Sequence, residues 1–245
     1  MDKKLLIVKN ITHEDEGLFG DILKEKNIPY EVVDLSIGEK FPDPKSYAAV
    51  MVFGGPDSAN DNTKKMKQEL QRIKEIVDNE IPYLGICLGM QTLVKAAGGN
   101  VRKNEVKEVG CGDAKGSHFE IKLTEQGKKD AIFNGLDTDL KIFHLHGETV
   151  DITENMTLLA TSKSCKNQVV RIGKNAYGLQ GHFELTEEKL KLWISKDKDL
   201  QALEEKLLMR DYHILKSELE NNAGKILFNF LGIARIIPME VNLSK

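Results

Sequence analysis

The stretch Tyr83-Leu84-Gly85-Ile86-Cys87-Leu88-Gly89-Met90-Gln91 decides the fold. Its first half is a short apolar run behind Pro82, which reads as a buried strand. Its second half runs into Met90, Leu93, Val94 and Ala97, spaced i, i+3, i+4, i+7, which is one face of a helix. Gly98-Gly99 then supplies a stop signal. Cys87 therefore sits at a strand-to-helix corner, with Gly85 and Gly89 two residues to either side. That is the spacing of a nucleophile elbow, with Cys in place of Ser. Glycines suit so sharp a turn because side chains there would collide with neighbouring backbone. The helix start suits a reactive thiol because free N–H groups and the helix dipole favour a thiolate. Gln91 lies one helical turn further on, on the same side. The competing reading is a buried cysteine at an ordinary strand-to-helix turn.

Working outward, Leu5 to Val8, Tyr30 to Leu35 and Ala48 to Phe53 read as strands. Leu18, Phe19, Ile22 and Leu23 form a helical stripe between the first two. Thr63 to Asn79 is strongly helical, with Met66, Leu70, Ile73 and Val77 inward. This alternation predicts a parallel sheet covered on both faces by helices, with sites at the carboxyl ends of its strands. Cys87 and Gly54-Gly55 lie at such ends. After residue 100 the strand candidates crowd together: Phe119 to Leu123, Leu140 to Leu145, Leu158 to Ser162, Gln168 to Ile172 and Ala176 to Gln180. Short turns join them, so this part of the sheet is expected to be antiparallel. From Thr186 the chain is helical again, with one stripe at Leu190, Trp193 and Ile194, a second at Leu200, Leu203 and Leu207, and a last at Ile226, Leu227 and Phe230. The Lys and Glu residues of 186–231 read as a solvated helix face. No linker or repeat divides the chain, so residues 1–245 are expected to form one domain with a helical C-terminal segment.

Composition narrows the function classes. The 245 residues are 40% hydrophobic and 30% charged, enough apolar material for a sizeable core. A net charge of −3 leaves no basic footprint for nucleic acid. Three cysteines, Cys87, Cys111 and Cys165, are too few and scattered for a disulfide framework or zinc cluster, which suits a reducing cytoplasm. The N-terminal apolar run is too short for a signal peptide, and no run approaches a membrane span.

Three further segments bear on chemistry. Gly54-Gly55-Pro56 follows a strand, and its backbone N–H groups can face a ligand without steric cost; the alternative is a simple turn. In Leu179-Gln180-Gly181-His182-Phe183-Glu184 an extended backbone puts His182 and Glu184 on one side, where a carboxylate can fix the imidazole; the alternative is a surface histidine beside a solvated Glu. In Phe143-His144-Leu145-His146-Gly147-Glu148 two histidines spaced i, i+2 suggest a metal pair, but no Cys or further His stands near enough in sequence to complete a site. No metal is expected.

Taken together, G-I-C-L-G-M-Q at 85–91, G-G-P at 54–56, L-Q-G-H-F-E at 179–184 and H-G-E at 146–148 resemble the class I glutamine amidotransferases with a Cys-His-Glu triad. The resemblance is nearest to stand-alone proteins related to the amidotransferase domain of GMP synthase. It implies a three-layer α/β sandwich, flavodoxin-like, with a mixed, largely parallel central sheet. It also implies hydrolysis of glutamine to glutamate and ammonia through a thioester on Cys87. His182 would be the base and Glu184 its orienter, with the N–H groups of Gly55 and Leu88 as the oxyanion hole. Gly54, Gln91, His146 and Gly147 would hold the substrate. No cofactor is implied, and ammonia would pass to a separate ATP-dependent synthetase. A γ-glutamyl hydrolase and a catalytically weak regulatory subunit are the alternatives. The family ending Q-F-H-P-E is here Gln180-Gly181-His182-Phe183-Glu184. A proline after His182 would hold it extended. Its absence, with Gly181 before it, predicts a less rigid triad.

Overall fold

The computed structural model describes residues 4–113 and 115–238. The N-terminal half contains β1 (Leu5–Lys9), α1 (Gly17–Glu25), β2 (Tyr30–Asp34), β3 (Ala49–Val52), α2 (Lys64–Asp78), β4 (Tyr83–Ile86) and α3 (Leu88–Ala96). The apolar runs of β1, β3 and β4 are buried throughout, as expected of strands covered on both faces. Thr63 caps α2 by accepting from the Met66 N–H, which fixes where that helix starts.

The second half adds β5 (Asn100–Gly110), β6 (Glu120–Leu123), β7 (Asp139–Lys141), β8 (His144–Asp151), β9 (Met156–Thr161), β10 (Val169–Ile172) and β11 (Ala176–Leu179), then α4 (Glu187–Lys196), α5 (Lys198–Gln201) and α6 (Glu205–Ile233). One nine-stranded mixed sheet runs β2-β1-β3-β4-β11-β10-β9-β6-β7. The strands from β2 to β11 pair in parallel, and those from β11 to β7 antiparallel. Helices cover both faces, which gives the three-layer α/β sandwich. On one face α1 and α6 share a core through Phe19, Leu23, Ala223, Ile226 and Phe230. On the other, α2 and α3 pack through Met66, Ile73, Met90 and Leu93.

Two local expectations differ from the structure, and one strand, β5, went unmarked in the sequence. Leu140 to Leu145 is not one strand: β7 ends at Lys141 and β8 begins at His144, in a separate two-stranded ribbon with β5. The apolar Ile142-Phe143 link is buried, so it reads like strand. Lys- and Glu-rich β5 carries no apolar run, because most of its length is exposed on this ribbon. Leu200, Leu203 and Leu207 do not form one buried stripe. The chain turns between α5 and α6, leaving Leu200 buried while Leu203 and Leu207 face outward.

Candidate active site

The elbow is built as its glycines predict. Cys87 stands between β4 and α3 at φ 52° and ψ −105°, a strained backbone for a residue with a side chain. A Cβ on Gly85 would lie 2.3 Å from the Gly89 carbonyl oxygen, and one on Gly89 would lie 2.2 Å from that of Val52. The Cys87 N–H donates to the Leu179 carbonyl at 2.8 Å, which ties the corner to β11. Its sulfur reaches the cleft and lies 3.8 Å from both the Leu145 carbonyl oxygen and Gln180 Nε2.

Strand β11 delivers the second pair of residues. His182 Nδ1 is 2.8 Å from Glu184 Oε1, and both residues are buried. Burial opposes charge on His182, but the Glu184 carboxylate and the adjacent Cys87 outweigh it and push its pKa up to about 10. Burial also opposes charge on Glu184, yet the Lys189 ammonium and His182 pull it down to about 2. Both shifts favour the charged forms, an imidazolium facing a carboxylate. Lys189 was expected on a solvated helix face. It is instead buried, 3.4 Å from Glu184 Oε1, donating to the Asp15 carbonyl and lying 5.1 Å from the Trp193 ring centroid.

The missing proline does not loosen this pair. His182 is clamped by a β-bridge to Phe143, its N–H donating to the Phe143 carbonyl at 2.8 Å. Phe183 is 2% exposed and packs into the main core. Gly181 is required by close approach: a Cβ there would lie 2.4 Å from Ile142 Cγ1. Packing and a backbone bridge replace the ring constraint of proline, contrary to the less rigid triad expected from sequence.

The Gly54-Gly55 turn faces Cys87 from the end of β3. The Gly55 N–H donates to no described residue, and Leu88, as the first residue of α3, has no helical acceptor for its N–H. Both donors are free to meet an oxyanion. Beneath the turn lies a buried support that the sequence did not show. Asn10 Nδ2 donates to the Phe53 carbonyl at 3.3 Å and to Glu69 Oε1 at 3.1 Å. Lys65 Nζ joins the Asn10 carbonyl at 2.9 Å to Asp57 Oδ2 at 2.5 Å. Burial pushes Glu69 up to about 7. Its place on the amphipathic α2, where a polar residue is buried among Met66 and Ile73, is a signal that periodicity could have flagged.

Glu14, on the loop after β1, was also missed. A Cβ on Gly54 would lie 2.4 Å from Glu14 Oε2, 3.3 Å from His182 Cε1 and 3.5 Å from Cys87 Cβ, so the three side chains converge there. Burial raises the Glu14 pKa against the pull of His182 and Lys189. No periodicity or motif marks this residue.

Cys87, His182, Glu14, Gly55 and Leu88 line a cleft of about 470 Å³ that also takes in Gln91, Leu145, His146, Gly147 and Trp193. Gln91 is nearly buried, its Nε2 3.4 Å from both the Glu148 carbonyl and Gln180 Oε1. The His146 ring turns away into the protein: Nδ1 is 3.0 Å from the Glu148 carbonyl oxygen and Nε2 is 3.0 Å from Glu108 Oε2. A carbonyl can only accept, so Nδ1 is the donor in that contact. What His146 and Gly147 can offer a ligand is therefore backbone. Glu108, His144 and His146 are the one group among the described residues whose donor atoms could meet a metal, all within 4.8 Å. Glu108 comes from β5, which sequence adjacency could not reveal. In the structure Gln168 Nε2 donates to Glu108 Oε2 at 2.8 Å, while His144 Nδ1 is buried without a hydrogen-bond partner among the described residues.

Comparison with known proteins agrees with this geometry. A family model described as glutamine amidotransferase class-I matches residues 21–198. The glutamine amidotransferase-like protein YfeJ of Salmonella typhimurium is 31% identical over 152 residues, covering 60% of this chain and 61% of that protein. The glutamine-hydrolysing GMP synthase of Bacillus pumilus is 34% identical over 138 residues, covering 56% of this chain and 24% of that enzyme. The chain thus spans less than two thirds of the length of these curated relatives. Among solved structures, a glutamine amidotransferase of Thermotoga maritima superimposes with a TM-score of 0.83 at 29% identity, over 96% of this chain and 99% of that one. The fold is shared with a glutamine amidotransferase of Methylobacillus flagellatus, at a TM-score of 0.85 and 23% identity, over 100% of this chain and 99% of that one. The chain belongs to the class I glutamine amidotransferases.

Proposed function

We propose that this chain hydrolyses glutamine to glutamate and ammonia on Cys87 and passes the ammonia to a separate ATP-dependent synthetase. Cys87 Sγ attacks the γ-amide carbon. The N–H groups of Gly55 and Leu88 receive the oxyanion. The imidazolium of His182 gives its proton to the leaving nitrogen, so ammonia departs and a γ-glutamyl thioester remains. His182, now neutral, takes a proton from water, whose oxygen attacks the thioester carbon and releases glutamate and the Cys87 thiolate. Glu184 holds the imidazole in one orientation throughout, as their 2.8 Å contact supports. Gly54, Gln91 and the backbone of His146-Gly147 shape the pocket for the glutamine side chain. Lys107, Lys196, Asp197 and Asp199 on the cleft rim offer both charges to the α-carboxylate and α-ammonium groups. No metal or organic cofactor takes part in this half-reaction.

The carrying observation is that Cys87, His182 and two unpaired N–H groups meet in one cleft. The glutamine-hydrolysing GMP synthases, matched over a fraction of their length, support the synthetase partner. We read residues 1–245 as one amidotransferase domain, because α1 and α6 share a core. No helix of the described residues is long and apolar enough to cross a membrane, and the three free, buried cysteines fit a reducing cytoplasm. The test is glutamate release from glutamine by the parent chain and by Cys87→Ala, with and without a candidate ligase. Turnover abolished by Cys87→Ala supports the proposal. Faster turnover of γ-glutamyl peptides than of glutamine points to a γ-glutamyl hydrolase instead.

A further inference from the structure

We propose that Glu14 is a specificity-determining residue that accepts a hydrogen bond from the amide nitrogen of the substrate and so separates a primary amide from a carboxylate. The inference rests on the glutaminase reading above and adds to it a reason for the enzyme to prefer substrate over product.

The placement follows from the two faces of the Gly54-Gly55 turn. Gly55 is backed by Asn10, whose Cβ would stand 2.7 Å from a Cβ at Gly55. With the Leu88 N–H, its own N–H claims the substrate oxygen. Gly54 faces the other way, toward the spot where Glu14 Oε2, His182 Cε1 and Cys87 Cβ converge. Glu14 therefore stands beside both His182 and Cys87, and the leaving nitrogen, which His182 must reach to protonate, comes within its range. A primary amide brings two N–H donors there. In its charged form, which the Glu184 carboxylate favours, His182 can only donate to the substrate and satisfies neither. The Glu14 carboxyl makes no hydrogen bond with any described residue and lines the cleft. It offers the acceptor that the amide needs.

The loop holding Glu14 is anchored to the same machinery. Its N–H donates to the Ile11 carbonyl at 3.2 Å, and the next carbonyl, of Asp15, accepts from Lys189 Nζ. The Leu18 N–H donates to the Glu184 carbonyl at 2.9 Å. The Glu14 backbone is thus tied to the elements that hold His182 and Glu184. When hydrolysis is complete, an oxygen of the glutamate γ-carboxylate replaces the amide nitrogen. Two carboxylates then face each other where an N–H···O contact stood, and product is repelled.

The test is calorimetric titration of glutamine and of glutamate into the full chain carrying Cys87→Ala, at about pH 8, well above the ordinary Glu range so as to offset the upward push of burial on Glu14. The same titrations are run with Glu14→Gln or Glu14→Ala added. We expect the Cys87→Ala chain to bind glutamine about tenfold or more tightly than glutamate, the scale of one hydrogen bond to a charged group. Glu14→Gln should collapse that ratio about tenfold, chiefly by tightening glutamate, because its amide can donate to the product carboxylate. A ratio unchanged in Glu14→Gln overturns the proposal and leaves the glutaminase reading standing. Equal tightening of both ligands in Glu14→Ala also overturns it, because Glu14 would then be a plug and not a discriminator. Binding of neither amino acid to a folded Cys87→Ala chain sinks the glutaminase reading, and this proposal with it.

Discussion

Replacing Phe183 with proline tests what positions His182. The substitution restores the extended bias that a following proline imposes on the histidine, but it removes an aromatic ring that is 2% exposed. Truncating a buried Phe to Ala costs about 3–5 kcal/mol. Proline keeps part of that volume, so we expect a loss of about 3 kcal/mol. For a domain of this size each kcal/mol lowers Tm by about 2–4 °C, so Tm should fall by about 6–12 °C. The His182 backbone already has its extended geometry from the bridge to Phe143, so proline adds little there. The cavity beneath the neighbouring residue lets the imidazole shift, and an error of about 1 Å costs on the order of a hundredfold in rate. The assay is calorimetric Tm beside glutaminase turnover, for the parent chain and Phe183→Pro. An unchanged Tm with equal or higher turnover would refute this reasoning, because it would show that backbone restraint limits the triad.

Iodoacetamide should label Cys87 first and abolish turnover, because burial holds the Cys165 thiol up and pushes Cys111 up to about 12; labelling at Cys111 or Cys165 with Cys87 untouched contradicts it. The pH dependence of stability has a defined sign. His182 is raised from 6.5 to about 10, so its contribution is complete below about 6.5 and lost as pH climbs toward 10; Glu184 is lowered from 4.5 to about 2, so its contribution is complete above about 4.5 and lost as pH falls toward 2. Stability from the pair is therefore greatest between those limits, and Glu184→Gln should flatten the parent's Tm-against-pH curve on both sides; an identical curve in the variant counts against the pairing. Gly85→Ala forces a Cβ to 2.3 Å from a carbonyl oxygen and should cost about 3 kcal/mol with loss of turnover. Gly98→Ala, with φ +93° but open space around it, should cost only about 1–2 kcal/mol and keep activity; equal damage from both would show that steric contact at the elbow is not the cause. Asn10→Ala strips the donor from buried Glu69 and should cost about 1–3 kcal/mol. It should lower kcat more than it raises KM, since the oxyanion turn sits above it; a pure KM effect argues against that support.

Legibility in the sequence followed the range of the interaction. The strand–elbow–helix unit at 83–96 is written in consecutive residues, and so is the extended His182–Glu184 pair. Period-2 and period-3.6 patterns could therefore find them. Ribbon strand β5 stayed hidden because its outward residues are Lys, Arg and Glu and its one buried acid, Glu108, is justified only by His146 and Gln168 far along the chain. Glu14, Asn10 and Lys189 are of the same kind. Each is an ordinary polar residue in its own segment and acquires meaning only from a partner on another element. The stripe drawn through Leu200, Leu203 and Leu207 failed for the opposite reason. Helical spacing persisted across a break that the spacing itself does not encode.

The place of β11 has a consequence for biosynthesis. It seats beside β4 in parallel, Ala176 against Tyr83 and Leu179 against Ile86, although the two strands come from opposite halves of the chain. A pairing of such long sequence separation forms slowly and cannot begin until the later strand has left the ribosome. A nascent chain that has already emerged past residue 100 holds its thiol without an imidazole beside it. Cys87 and His182 meet only when β11 docks, so under the proposed function β11 docking joins the start of activity to near-completion of the sheet. Premature release of the chain leaves a fragment with an unpaired β4 edge and with Cys87 apart from His182.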